Sequence, residues 1–335
     1  CGLILATAIG ASGPTSAQTS APATDTPAAR PVEQTSDFWR ELRQPGHRRV
    51  AVLMRHGRVL VAGAMQERSN QRPHLYAAWL EGAIERFRRA HALVPEDPEP
   101  LIELAVRTAM YERPRPGEAP ERRVAEAIAL YHEVRALDPA YLPEIVAFEL
   151  ALLHSREGET AVAIVEYKRA LEHAATMSAQ SASTTSSNLA ETLMMDGQLT
   201  DAVSYYELAI DYAEEATDER SLFLAHFGLA VALDRLGEHH SALDHAARAR
   251  SVFGGGMEGL TDDPNVFFEP ESEVHYYVAL GHMAYAEAAP REDARPHWQQ
   301  ALRAWTDYLA LSEDGDPWRA LAERHRREVE ERLAR

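Results

Sequence analysis

The chain has 335 residues, with 34 Lys+Arg against 52 Asp+Glu and a formal net charge of −18. That balance argues against nucleic-acid binding, which depends on clustered basic side chains. A single cysteine, Cys1, excludes internal disulfides and thiolate zinc cages. With 45% apolar and 26% charged residues the composition is that of a globular chain.

At the amino end, residues 3–11 (LILATAIGA) are apolar, and Ser12-Gly13-Pro14 and Thr15-Ser16-Ala17 follow. An apolar run, a helix breaker and then small residues read as a truncated secretory signal over 1–17. The run is shorter than the ~20 apolar residues that span a bilayer. The Cys-Gly start resembles, as an alternative, a mature bacterial lipoprotein with its lipid on Cys1. Both readings predict an exported protein, periplasmic or attached to the outer envelope. Residues 18–35, rich in Ala, Pro, Thr and Ser, predict a flexible linker.

Residues 36–72 predict an Arg-rich helical segment. Between 38 and 72 there are eight Arg and two Glu, an excess of +6, against an acidic remainder. Docking on that acidic remainder is the simpler reading. A patch facing anionic lipid or an acidic partner is the alternative. Arg55-His56-Gly57 resembles the signature of histidine phosphatases, whose nucleophilic histidine stands at the end of a strand. The sequence shows no sheet around it, so this enzymatic alternative is unlike the rest of the chain.

A pattern then recurs: Ala, an aromatic four residues on, and a small residue three further. It reads Ala83-Phe87-Ala90, Ala127-Tyr131-Val134, Ala163-Tyr167-Ala170 and Ala202-Tyr206-Ala209. Ala242-Ala246-Ala249 and Ala301-Trp305-Tyr308 are further copies. These spacings place the residues on one helix face, small ones admitting a neighbouring helix and the aromatic filling the gap. Leu150-Ala151, Leu189-Ala190 and Leu229-Ala230 mark a preceding helix, and Gly158, Gly197 and Gly237 fall at the turns between.

This pattern resembles the tetratricopeptide repeat family, secreted or envelope type, from about residue 73 onward. The resemblance implies an all-α, right-handed α-solenoid of about six helix-turn-helix repeats over 73–316. A capping helix over 317–335 closes the stack. A Pro/Arg-rich insertion at 113–121 lengthens one turn, and almost no sheet is expected.

In that family the first helices of the pairs line a groove for peptide segments. By position, the partner-binding residues here would be Ile102, Val106, Met110, Phe148, Leu152, Asn188, Glu191, Met195, Phe227 and Val231. Replacing Phe148 and Phe227 by Asp is expected to abolish capture with helicity intact. The stretch 253–271 adds Phe267 and Phe268, which fold back or meet a partner. His226, His239, His240 and His245 read as solvated turn histidines rather than metal ligands. No catalytic, metal or cofactor site is expected. The function implied is a non-catalytic protein–protein interaction scaffold of the bacterial cell envelope, with no nucleic-acid partner. A self-associating structural module is the alternative.

Overall fold

A computed structural model describes residues 2–5, 45–252, 266–270 and 272–335. The expected linker at 18–35 lies outside the described residues. The chain divides into two compact units, residues 9–146 and residues 1–8 together with 147–335. Strand β1 (Gly2–Leu5) opens the chain and belongs to the second unit.

The amino-terminal unit starts with helices α1 (Pro45–Ser69) and α2 (Pro73–Leu93). They pack closely because α1 presents glycines. A Cβ on Gly57 would meet the Phe87 ring at 2.6 Å, and one on Gly63 would meet Trp79 at 2.7 Å. Helix α3 (Pro98–Ala109) starts at Asp97, whose carboxylate accepts the Glu99 N–H at 3.0 Å, with Pro98 at the first helical position. The insertion is a hairpin of β2 (Glu112–Arg115) and β3 (Glu118–Arg122), turning at Gly117 with φ +74°. It escaped the sequence reading because its strands are short and charged. Cross-strand ion pairs join them, Arg115–Glu121 at 3.0 Å and Arg122–Glu112 at 3.4 Å. Helix α4 (Val124–Leu137) follows. One of the α1 arginines meets acidic partners on α3, as Arg58 bonds Glu99 at 2.7 Å and Glu103 at 3.0 Å.

Helix α5 (Pro143–Arg156) runs across the boundary between the units. The carboxyl-terminal unit continues with α6 (Thr160–Leu171), α7 (Ala179–Met195) and α8 (Leu199–Ala216). Then come α9 (Glu219–Leu236), α10 (His239–Val252) and strand β4 (Val266–Glu269). Helices α11 (Glu273–Ala288), α12 (Arg291–Leu311) and α13 (Arg319–Ala334) complete it. The fold is therefore all-α, a stack of about six TPR-like helix pairs closed by a carboxyl-terminal helix.

Every residue of the six recurring triplets is at most 1% exposed, so the small–aromatic–small face is the packing face in each pair. Gly158, Gly197 and Gly237 adopt φ of +76°, +79° and +89°, the left-handed turn that glycine accommodates without a Cβ penalty. Among the described residues the only other sheet is an antiparallel ribbon of β1 and β4, paired from Gly2↔Glu269 to Leu5↔Val266. No helix of the described residues is long and apolar enough to cross a membrane.

Candidate functional site

The first helices of the carboxyl-terminal pairs carry an unusual polar load. In α7 every residue from Ala182 to Met194 is buried, including Ser183, Thr185, Asn188, Glu191 and Thr192. In α9 every residue from Phe223 to Arg235 is buried, Asp234 and Arg235 among them. An amphipathic helix buries one stripe, whereas these are covered on all faces. Ordinary chemistry starts both helices. Ser178 caps α7 by accepting the Ser181 N–H at 3.1 Å, and Asp218 caps α9 by accepting from Arg220 and Ser221.

Glu191 stands at the middle of this arrangement, fully buried. Its Oε2 accepts from the Tyr206 hydroxyl at 2.5 Å and the Tyr277 hydroxyl at 3.2 Å. Oε1 is buried and has no hydrogen-bond partner among the described residues. Removal from water disfavours the carboxylate and pushes its pKa up to about 7, against which the Tyr206 hydrogen bond works. The same burial drives both tyrosines well above their ordinary values, so both phenols keep the proton they donate to Glu191.

On the first helix of the next pair, Asp234 is a second hub. It accepts from Tyr276 at 2.5 Å on α11, and bonds His239 at 2.6 Å and His325 at 3.0 Å on α10 and α13. Burial works against its charge, yet the bonds from His239, His325 and Tyr276 hold its carboxyl well below the usual range. His239 is raised: burial opposes the charged ring, and the Asp234 carboxylate more than compensates. Beside it, Arg235 and Glu273 form a buried ion pair at 2.6 Å, with Arg235 lying over the rings of Tyr276 and Trp318.

The ligand atoms of Asp234, His239 and His325 lie within 4.8 Å of one another, a grouping that invites a metal. Ring geometry argues otherwise. The two imidazoles stack with centroids 4.5 Å apart and planes 25° apart, and each faces a different oxygen of one carboxylate. An ion held by both must lie near both ring planes at ~2.0–2.1 Å from each nitrogen. Nearly parallel, stacked planes do not meet there. The cluster is a hydrogen-bond hub that ties three helices together.

The structure therefore corrects the solvated-histidine reading for three of the four, while His240 is exposed as expected. His239 is bonded to Asp234, and His226 faces His245 with Nδ1 atoms 3.1 Å apart. Burial, and then the neighbouring His245, lower the His226 pKa to about 4. Periodicity missed this network because its members lie far apart in sequence, from Glu191 to His325.

The Arg-His-Gly alternative is also corrected. Arg55 and His56 are exposed residues inside α1, not at a strand end. Gly57 is explained by its contact with Phe87.

Of the expected groove residues, Phe148, Leu152, Asn188, Glu191, Phe227 and Val231 all lie in the carboxyl-terminal unit and are buried. Phe148, Leu152, Phe227 and Val231 belong to one apolar cluster. Phe148 meets the edge of Tyr167 and Phe227 that of Phe223. Phe148→Asp and Phe227→Asp would therefore bury a charge in the core, so the expectation of intact helicity is withdrawn. Met195 is half-buried at the end of α7. Ile102 is buried and Val106 and Met110 half-buried in the amino-terminal unit, where the Met110 carbonyl accepts from Tyr76 at 2.7 Å. Phe267 and Phe268 lie in β4, and their side chains lie outside the described residues.

Residues 181–253 match the family described as tetratricopeptide repeat, a stretch that takes in most of α7 and all of α8, α9 and α10. No curated protein matches the chain. Among solved structures, the chain is similar to MamA (residues 41 to the end) from Desulfovibrio magneticus RS-1. The identity is 15%, over 59% of this chain and 94% of that one, with a TM-score of 0.44. It is similar to YrrB, described as a TPR protein with an unusual peptide-binding site. There the identity is 17%, over 73% of this chain and 99% of that one, with a TM-score of 0.44. It is also similar to PilW, described as a type IV pilus biogenesis factor. There the identity is 21%, over 58% and 92%, with a TM-score of 0.38.

Proposed function

We propose that the chain is a non-catalytic protein–protein interaction module of the bacterial cell envelope. It holds an extended partner segment against the first helices of its carboxyl-terminal pairs. The observation that carries this reading is the Glu191 carboxylate, one oxygen fixed by two tyrosines and the other buried without a partner. A buried oxygen left unpaired costs about 1–3 kcal/mol, and more for a charged group. A partner segment that supplies an N–H or a cationic donor relieves that cost. The tetratricopeptide match over 181–253 covers the helix that carries Glu191 and supports the same reading. Both amino-terminal readings imply export, and of the two the lipoprotein-like Cys-Gly start is the one that keeps Gly2–Leu5 in the exported chain, where β1 lies.

The test is to pan a random peptide library on the full chain at pH 8, where Glu191 is ionised. Affinities are then measured by fluorescence anisotropy on the wild type and Glu191→Gln. The expected result is saturable binding that weakens by about tenfold in the variant, the loss of one charge-assisted hydrogen bond. Equal affinity for both proteins overturns the reading.

A further inference from the structure

The four residues Gly2–Leu5 form a strand on Val266–Glu269 and lie against α7, the helix that carries Glu191. Strand β4 in turn neighbours α11, which carries Tyr277. An extended segment thus lies along the first helices of the pairs, held by main-chain pairing. We propose that Val266–Glu269 is a strand edge that receives an extended, proline-free apolar segment by antiparallel pairing, and that Gly2–Leu5 is its built-in occupant. This rests on the interaction-module reading above and adds how the segment is held and which segment holds the place in the resting chain.

Three observations converge on it. First, the register is regular over all four pairs, Gly2↔Glu269, Leu3↔Phe268, Ile4↔Phe267 and Leu5↔Val266, without a bulge. Main-chain pairing of this kind is how a sheet edge captures a peptide, with backbone hydrogen bonds for affinity and alternate side chains for selectivity. Second, the occupant has the composition that the mode requires. Its sequence, Gly-Leu-Ile-Leu, contains no proline and no charge, and β-branched and large apolar residues favour strand. Third, the paired segment lies against α7, whose residues from Ala182 to Met194 are all buried and include the Glu191 Oε1 that has no hydrogen-bond partner among the described residues. A partner segment of the same chemistry competes with Gly2–Leu5 for the edge, so the chain carries its own competitor.

The experiment uses the full chain and a variant, Leu3→Pro with Ile4→Pro. In an antiparallel pair the residues that exchange hydrogen bonds alternate, so prolines at two adjacent positions remove the pairing N–H whichever one donates. Both positions lie outside the helices, and circular dichroism is expected to be unchanged. Hydrogen exchange should show the amides of 266–269 protected in the wild type and at least tenfold faster in the variant. A labelled peptide with the sequence of residues 2–7 should bind the variant at least tenfold tighter than the wild type and restore that protection. The same peptide with proline at its second and third positions should not bind. Equal exchange at 266–269 in the two proteins, or equal peptide affinity for them, overturns the strand-edge proposal. In that case library peptides that still depend on Glu191 leave the interaction-module reading standing. Absence of any library binder on the Leu3→Pro with Ile4→Pro variant, whose edge is open, overturns that reading instead.

Discussion

The ring of Tyr206 fills the space that any side chain at position 228 would need. A Cβ on Gly228 would lie 2.2 Å from Cε1 and 2.6 Å from the hydroxyl of Tyr206. Glycine at 228 thus lets α9 approach α8 closely enough for Tyr206 to pass and reach Glu191 on α7. Mid-helix glycine normally costs roughly 0.5–1 kcal/mol relative to alanine. Here the glycine offsets that cost, because a Cβ at 228 would overlap the Tyr206 ring that reaches Glu191.

Gly228→Ala is therefore expected to destabilise the chain, despite its better helix propensity. Overpacking of this kind costs about 1–3 kcal/mol, to which the displaced Tyr206 hydroxyl adds the loss of a bond to a buried carboxylate. Gly82→Ala is the internal control. Its Cβ would meet Leu60 at 3.4 Å, an ordinary contact, so that change should be neutral or slightly stabilising. Thermal unfolding of the two variants beside the wild type decides the matter. Equal effects at the two sites would show that Tyr206 moves aside freely.

Glu191 makes the stability of the chain fall with rising pH. Its folded pKa, about 7, lies above the ordinary 4.5. The folded state therefore holds a proton that the unfolded state has released across that window. Stability is full below about pH 4.5 and declines until the folded group has ionised near 7. The whole effect is roughly 3 kcal/mol by linkage. Glu191→Gln keeps an acceptor for Tyr206 and Tyr277 and removes the titration. The variant should match the wild type near pH 4.5 and exceed it at pH 8. Melting curves across that range test this, and parallel curves at every pH would overturn it.

The repeat frame was readable because its signal is local and periodic. The triplets from Ala83-Phe87-Ala90 to Ala301-Trp305-Tyr308 are the packing faces, and the three turn glycines take the expected left-handed conformation. The hairpin at Glu112–Arg122 was missed because charged residues build it and ion pairs hold it, leaving no apolar alternation to detect. The polar network was missed for a different reason. Tyr277 is 86 positions from Glu191, and His325 is 91 from Asp234. No spacing rule links residues that meet only after several pairs have stacked. A signal was present at one site nonetheless: Asp234 follows Phe227, Ala230 and Val231 on one helix face, an acidic residue where apolar ones prevail.

The Asp234 hub ties the last helix to the stack. His325 of α13 is packed between Trp305, at a centroid distance of 5.2 Å, and His239, while its Nε2 reaches Asp234. Asp234→Asn or His325→Ala should release α13. Each loses a hydrogen bond to a charged group, about 1.5–3 kcal/mol. Hydrogen exchange of 319–334 should accelerate in both variants, with the amides of α6 unchanged. The Asp234 contribution is present above the ordinary carboxylate pKa and is lost as pH falls through its lowered folded value. The raised His239 contributes fully below its ordinary value, roughly 6.5, and loses that contribution as pH rises through its folded value. Protection of α13 should thus be greatest between about pH 4 and 6.5. Unchanged exchange in Asp234→Asn would show that apolar packing alone holds the helix.

The Arg-His-Gly motif separates chemistry from packing in one short stretch. His56 is exposed on α1 and Gly57 faces Phe87, whose ring would lie 2.6 Å from a Cβ at that position. If the motif served a phosphoryl nucleophile, His56 would be the residue that matters. If it serves helix packing, Gly57 is. Gly57→Ala is expected to destabilise the amino-terminal unit by about 1–3 kcal/mol, because the buried Phe87 has no open side toward which to turn. His56→Ala should change stability by less than about 0.5 kcal/mol, as for surface substitutions away from special features. Chemical denaturation of both variants reads the difference directly. Turnover of an aryl phosphate by the wild type that disappears in His56→Ala would reverse this assignment and restore a catalytic role to the helix.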